Sequence, residues 1–493
     1  MTVELKNLVG AEWVTASGEH HEIINPADGT EVVARLAYSS AEDVRRAVDA
    51  AAQAFPAWRA TPVVRRCRIL FHIKELLEER MDELAGMIVA ENGKTFVEAQ
   101  GDVRRGVEVV EFAAGGPHLC KGEYIEDIAG RVDGYIYREP LGVVAGACPF
   151  NFPAMVPMWM FPMAVAMGNT FVLKPSEKCP RTAAAVAEIF LEGGLPEGVL
   201  NIVNGGRETF EALITAEEVR AVSFVGSTAA AENVWSLATS HHKRAQTLGG
   251  AKNYLIVMDD ADRESTIKGI IGSSFGCAGE RCMASSVLVT VGDAEEIIDE
   301  VIEAARALRL GNGMDADSDM GPLISAAHKK RAEDYIRIGI DEGAQLVLDG
   351  RGATVKGLEG GFWLGPTIFD RVRPDMKIAR DEIFAPVLSI MRAQDLNEAI
   401  NLANMSPYGN GASIFTGSGG AAREFRNRIE CGMLGINAGV PAPMAFFGFG
   451  GHKISLIGDL RVQGTDAVEF YTQKKSVIER WFGMGKTGST WGR

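Results

Sequence analysis

From Gly142 the chain alternates short β-branched runs with helical stretches, and GVVAGAC, TFVLK, VLNIV and AVSFVG follow in succession. This alternation constrains the fold most, because parallel strands need crossover connections and helices to cover both faces of their sheet. The pattern restarts at NYLIVMDDAD and continues through SSVLVTV to near Gly450, which predicts a second α/β domain. Glycine and polar residues at the strand ends make the first domain a nucleotide-binding architecture.

Residues 141–173 carry no charge and exceed the length of a membrane span. Pro149, Pro153, Pro157 and Pro162 argue against one, since each removes a backbone donor and clashes with the preceding turn. The segment reads as a buried strand, an irregular loop and a core helix from about Met158. The first third reads as helical. Ser40 caps a helix whose buried face carries Val44, Val48, Ala51 and Phe55 and which ends at Pro56. A second helix is expected from about Val63 to Glu91. Residues 123–140 and 467–481 show strand-like alternation outside both domains. They suit pairing with another subunit, or equally a small sheet within the chain.

A chain of 493 residues, 46% hydrophobic, can bury the cores of two or three domains. Its formal charge of -15 argues against nucleic acid and anionic membranes as partners and leaves small molecules. Seven cysteines without metal spacing favour a reducing compartment, free thiols and no metal. The start, MTVELKNLVGAEW, lacks the layout of a signal peptide, so a cytoplasmic location is expected.

Cys282, in FGCAGERCMASS, stands on a segment punctuated by Gly276 and Gly279, which suggests a loop. Arg281 beside it is expected to lower the thiol pKa and favour a nucleophilic thiolate. The plainer reading makes it a small core residue, as expected of Cys67, Cys120, Cys148, Cys179, Cys277 and Cys431. Lys174, Ser176 and Glu177 follow the strand TFVLK, where a lysine and a carboxylate suit the hydroxyls of a ribose. Glu177 would repel a 2'-phosphate, which points to NAD rather than NADP. Gly226 and Ser227 precede a helical run and suit a pyrophosphate, although an ordinary strand-to-helix turn would look the same.

Seven motifs in order then resemble one family, the NAD(P)-dependent aldehyde dehydrogenases: PFNFP (149–153), KPSE (174–177), FVGS (224–227), LGG (248–250), GERC (279–282), DEIFAPV (381–387) and GMLGIN (432–437). The resemblance implies a Rossmann-type NAD-binding domain at 1–120 and 141–249, an α/β catalytic domain at 250–450, and a small β oligomerisation element with the C-terminal segment at 121–140 and 451–493. It implies Cys282 as nucleophile and Asn151 as oxyanion-hole donor. For NAD it implies Lys174 and Glu177 at the adenosine ribose, Ser227 at the pyrophosphate, Glu382 at the nicotinamide ribose and Phe384 near the ring, with Phe150, Ser176 and Gly226 completing the groove. Hydrolytic members carry a glutamate immediately before the LGG-type sequence as general base. Counted back from the DDAD that ends the following strand, that position is filled here by Leu248, and Thr247 is the nearest polar residue.

That absence, together with GAKN (250–253), AGERCMA (278–284), VEFAAG (110–115), FNFPAMVPMWMFPMA (150–164) and GINAGVPAPMAFF (435–447), resembles a subgroup, the CoA-acylating methylmalonate- and malonate-semialdehyde dehydrogenases. This resemblance implies oxidation of a semialdehyde, decarboxylation and acyl transfer to coenzyme A, giving propanoyl-CoA or acetyl-CoA, in a homo-oligomer, dimer or tetramer. Arg105 and Arg281 would hold the substrate carboxylate. Arg104 competes with Arg105 for that role, and either suits a helix-surface salt bridge. The chain departs from the subgroup at Leu456, Ile457 and Arg461, where an aromatic pair and a histidine are expected. If that segment borders the acyl pocket, the pocket is less aromatic. The alternatives are a hydrolytic aldehyde dehydrogenase and a non-catalytic protein on the same scaffold.

Overall fold

A computed structural model describes residues 2–482. Five parallel strands, Val143–Ala147, Thr170–Lys174, Leu200–Ile202, Val219–Val225 and Arg244–Leu248, form the centre of an eight-stranded sheet in spatial order 3-2-1-4-5. The order reverses between Val143–Ala147 and Val219–Val225, so the carboxyl ends of these two strands open a crevice. Both strands are mostly buried, which explains their continuous apolar runs. The edges are closed by antiparallel additions from opposite ends of the chain. Asn7–Val9 pairs with Leu200–Ile202, and Leu456–Ile457 pairs with Thr247 and Leu248.

The second sheet has seven strands, parallel except for one edge, in the order Gln345–Leu348, Thr367–Asp370, Val387–Ala393, Ser285–Val291, Asn253–Val257, Gly411–Phe415, Met433–Ile436. Its central strand Ser285–Val291 begins three residues after Cys282. Segments 123–140 and 467–481 meet within the chain, although 467–471 close helix Gly464–Tyr471 rather than opening a strand: Thr472–Arg480 pairs along its length with Val132–Pro140, and Glu123–Ala129 forms the exposed edge of that sheet.

Helix boundaries differ from the sequence expectations where tertiary contacts outweigh local preference. Ser40 caps Ala41–Ala60 through a capping box with Asp43, but Pro56 lies inside the helix and does not end it. Continuing past the proline buries Trp58, whose indole N–H donates to Val165 O at 3.0 Å. The expected helix from Val63 to Glu91 is two, Val63–Glu79 and Met81–Asn92, broken at Arg80. The core helix runs Met155–Ala166 and starts before Met158, because Asp102 Oδ1 accepts from Met155 N at 2.7 Å. Pro157 falls in its first turn, where no intrahelical donor is required. Among the described residues no helix is long and apolar enough to cross a membrane.

Candidate active site

Three cavities join end to end between the carboxyl edge of the first sheet and the amino ends of strands Ser285–Val291 and Val387–Ala393 of the second. The first, about 440 Å³, lies at the crevice and is lined by Lys174, Ser176, Glu177, Phe150 and Gly226. It shares Phe150 and Gly226 with a second of about 290 Å³, lined also by Asn151, Ser227, Glu382, Phe384 and Cys282. The third, about 220 Å³, holds Arg105, Arg281, Glu98 and Phe449, and shares Cys282 and Trp159 with the second. Cys282 therefore stands where a path for an elongated ligand meets a small pocket with two arginines.

The segment leading to Cys282 is a strained turn. Between helix Arg263–Phe275 and strand Ser285–Val291, Cys277, Ala278 and Gly279 adopt left-handed φ of 49°, 51° and 70°. A Cβ on Gly279 would lie 2.3 Å from Ala385 O, so glycine is required there. Glu98 Oε1 holds the turn by accepting from Cys277 N at 2.6 Å and Arg281 Nη2 at 3.0 Å. The carbonyl of Cys282 accepts from the side-chain amides of Asn253 and Asn410, each at 2.9 Å. Asn151 Nδ2 donates to Glu280 O at 3.0 Å, which ties this asparagine to the turn that carries Cys282.

Arg281 does not do what its place in the sequence suggests. Burial, reinforced by Glu382, pushes the Cys282 thiol up to about 12, and the guanidinium opposes this only weakly. Its Nε donates to Cys277 Sγ at 3.2 Å and its Nη atoms go to Gly272 O and Glu98. The thiol is protonated in the free protein and must lose its proton when an aldehyde reacts.

The first two cavities suit a dinucleotide. Lys174 Nζ lies 3.1 Å from Glu177 Oε2 and donates to Gly205 O, leaving both side chains presented to the crevice. Ser227 occupies the N-cap of Thr228–Ser240, but its side chain makes no capping bond there. Glu382 Oε1 accepts from Ala251 N at 2.9 Å, and burial pushes its carboxyl up to about 7. Phe384 has a left-handed φ of 62° and meets the Phe150 ring edge-on at 6.0 Å. Arg331 donates to Glu382 O and Ile383 O, and His328 Nε2 lies 2.7 Å from Phe384 O.

A family model for the aldehyde dehydrogenases matches residues 13–477. The chain belongs to the aldehyde dehydrogenase family. It is 53% identical over 480 residues to a malonate-semialdehyde dehydrogenase of Geobacillus kaustophilus, covering 97% of this chain and 99% of the relative. A malonate-semialdehyde dehydrogenase of Halalkalibacterium halodurans is 51% identical, covering 97% and 98%. Among solved structures, a Sinorhizobium meliloti protein assigned as a methylmalonate-semialdehyde dehydrogenase and crystallised with NAD superposes with a TM-score of 0.97 at 44% identity, covering 99% of this chain and 100% of that one. The methylmalonate-semialdehyde dehydrogenase of Oceanimonas doudoroffii gives 0.96 at 44%, covering 98% and 99%.

In this aldehyde dehydrogenase the choice between neighbouring arginines is geometric. Arg104 points to Glu78 and Met81 on the helix surface, whereas Arg105 lines the third cavity. Arg105 bonds Glu108, Ala442 O and Pro443 O. The segment at Leu456, Ile457 and Arg461 does not line that cavity. Leu456 and Ile457 belong to the first sheet, Arg461 lies against His452, and the wall is instead formed by Ala442, Ala445, Phe449 and Gln463. The C-terminal stretch WFGMGKTGSTWGR lies, from Gly483, outside the described residues. Of the six other cysteines, Cys120 and Cys431 are only half-buried. Sequence reasoning missed Glu98 and Asp102. With Arg105 they fall at i, i+4 and i+7 of Phe96–Ala114, so one helix face supplies three polar groups to the site. That spacing was visible in FVEAQGDVRR.

Proposed function

We propose that this aldehyde dehydrogenase oxidises a malonate-type semialdehyde with NAD and passes the acyl group to coenzyme A. The product is acetyl-CoA or, from the methylmalonate homologue, propanoyl-CoA, with the carboxylate lost as carbon dioxide or bicarbonate. The observation that carries this reading is the end of strand Arg244–Leu248. Leu248 stands where hydrolytic relatives carry a base, and the Thr247 hydroxyl donates to Ile457 O at 3.2 Å. Neither residue takes a proton from water at neutral pH. The named relatives support the substrate class, and two arginines in the cavity behind Cys282 support an anionic substrate. The volume of that cavity equals about seven liquid waters, which suits a short aldehyde.

In this reading Cys282 Sγ bonds the aldehyde carbon, and the developing alkoxide accepts from the Asn151 amide and the Cys282 backbone N–H. Bound NAD would supply the hydride acceptor. Lys174 and Glu177 would hold its adenosine ribose, and Glu382 the nicotinamide ribose. Collapse of the tetrahedral adduct leaves a thioester on Cys282. With Leu248 in place of a base to activate water, that thioester persists until a thiol attacks it.

The exposed sheet of Glu123–Ala129, Val132–Pro140 and Thr472–Arg480 supports assembly into a dimer or tetramer, since Tyr124, Ile125 and Ile478 stand open on it. Free cysteines suit a reducing cytoplasm. Product analysis tests the reading. With malonate semialdehyde and NAD, thioester should form when CoA is present and acid release without CoA should be slow; equal turnover with and without CoA rejects acyl transfer.

A further inference from the structure

Asn92, Lys94 and Asp102 lie outside every motif that carried the family resemblance, yet all three bond the loop of the oxyanion asparagine. Helix Met81–Asn92 ends at Gly93, whose φ of 91° turns the chain back, and Thr95 caps the next helix, Phe96–Ala114. From this turn Asn92 Nδ2 donates to Phe150 O at 3.1 Å. Lys94 Nζ donates to Asn151 O at 2.7 Å and lies 4.0 Å over the Phe152 ring. About two helical turns on, Asp102 Oδ2 accepts from Lys94 Nζ at 3.1 Å while Oδ1 accepts from Met155 N at 2.7 Å. Phe150, Asn151, Phe152 and Met155 are thus gripped at three backbone atoms and one ring.

The Lys94 and Asp102 side chains are 1% and 0% exposed. A buried ion pair is a poor source of net stability, because desolvating two charges offsets their attraction. Ordinary fold stabilisation therefore accounts poorly for its presence, whereas positioning accounts for it well. Oxyanion stabilisation depends on a donor held within tenths of an ångström of the developing charge. The Asn151 side chain has only the Glu280 carbonyl to orient it, so its backbone must be held independently.

We propose that Lys94, paired with Asp102 and assisted by Asn92, is a positioning residue that sets the Asn151 amide for the developing oxyanion. The inference rests on Asn151 acting as that donor, and the Asn151→Ala variant alone tests this premise. The decisive experiment is a double-mutant cycle on the full chain with NAD and the aldehyde it turns over fastest. Lys94→Met/Asp102→Leu removes both charges together and leaves no unpaired buried ion. It should lower kcat about 10- to 100-fold. KM for NAD and the rate of Cys282 alkylation by iodoacetamide should stay within about twofold. In the Asn151→Ala background the same pair should cost no more than about twofold. An equal loss in both backgrounds, or an unchanged kcat in the wild-type background, overturns the proposal. If Asn151→Ala itself keeps full kcat, the premise fails and the inference with it. Should the paired variant not fold, Asn92→Ala carries the same test. A loss of about three- to tenfold that vanishes without Asn151 supports the clamp, and a loss that persists overturns it.

Discussion

Arg281 and Glu98 form an ion pair, with Arg281 Nη2 3.0 Å from Glu98 Oε1, in the wall of the small cavity that ends at Cys282. The pair fixes the guanidinium and, through the second bond of Glu98 to Cys277 N, fixes the nucleophile turn as well. A substrate carboxylate entering this cavity therefore meets a charge already held in place, so little ordering is needed on binding.

Arg281→Leu and Arg105→Leu should each raise KM for a short acidic aldehyde by about 30- to 150-fold, or about 2–3 kcal/mol for a lost charged hydrogen bond. KM for propanal should move by less than about threefold. Arg104→Leu should leave both aldehydes unaffected, because Arg104 faces Glu78 outside the cavity. Similar losses for acidic and neutral aldehydes would make the two cavity arginines structural.

The thiol of Cys282, raised to about 12, is protonated across the neutral range in the free enzyme. Its thiolate fraction should climb about tenfold per pH unit. Iodoacetamide inactivation, followed from about pH 7 to 9, should rise with that slope and reach no plateau. A plateau below about pH 8 would reveal a thiolate stabilised by Arg281 after all.

Glu177→Ser should lower kcat/KM with NAD about tenfold through loss of a ribose acceptor, and raise it with NADP by a comparable factor as repulsion of the 2'-phosphate disappears. Steady-state comparison of the two cofactors decides this. Unchanged discrimination would place the selecting charge elsewhere in the crevice.

Gly279→Ala forces a side chain into a left-handed position 2.3 Å from Ala385 O. It should cost about 3 kcal/mol or more in urea unfolding and abolish turnover. Gly272→Ala, in helix Arg263–Phe275 with open space around its Cβ, is the control and should be neutral or stabilising by up to about 1 kcal/mol.

The parallel strands were legible because strands buried on both faces must be apolar throughout, and TFVLK is strand Thr170–Lys174 while AVSFV lies within Val219–Val225. Helix ends were less legible. Pro56 and the break at Arg80 depend on what Trp58 packs against and how two helices cross, and neither is a local property. Cys282, Asn151, Glu177 and Glu382, singled out from motifs, line adjoining cavities at the ends of the two sheets. The burial of Glu98, Lys94 and Asp102 was not legible, because a buried carboxylate or ammonium looks the same in sequence as an exposed one until its partner is known.

The sequence by itself determined that this chain builds parallel sheets, which cysteine follows a glycine-marked turn, and that an aliphatic side chain, Leu248, stands before the double glycine. Those properties reside in single residues and short periods. Only the tertiary structure decided that Arg281 serves Glu98 and Cys277 more than the Cys282 thiol, that Arg105 rather than Arg104 reaches the cavity, and that the two strand-like segments around 123–140 and 467–481 pair with each other. Each of these depends on which groups, hundreds of residues apart in some cases, lie within hydrogen-bonding distance and away from water. Burial then decides their charge, and no local pattern encodes it.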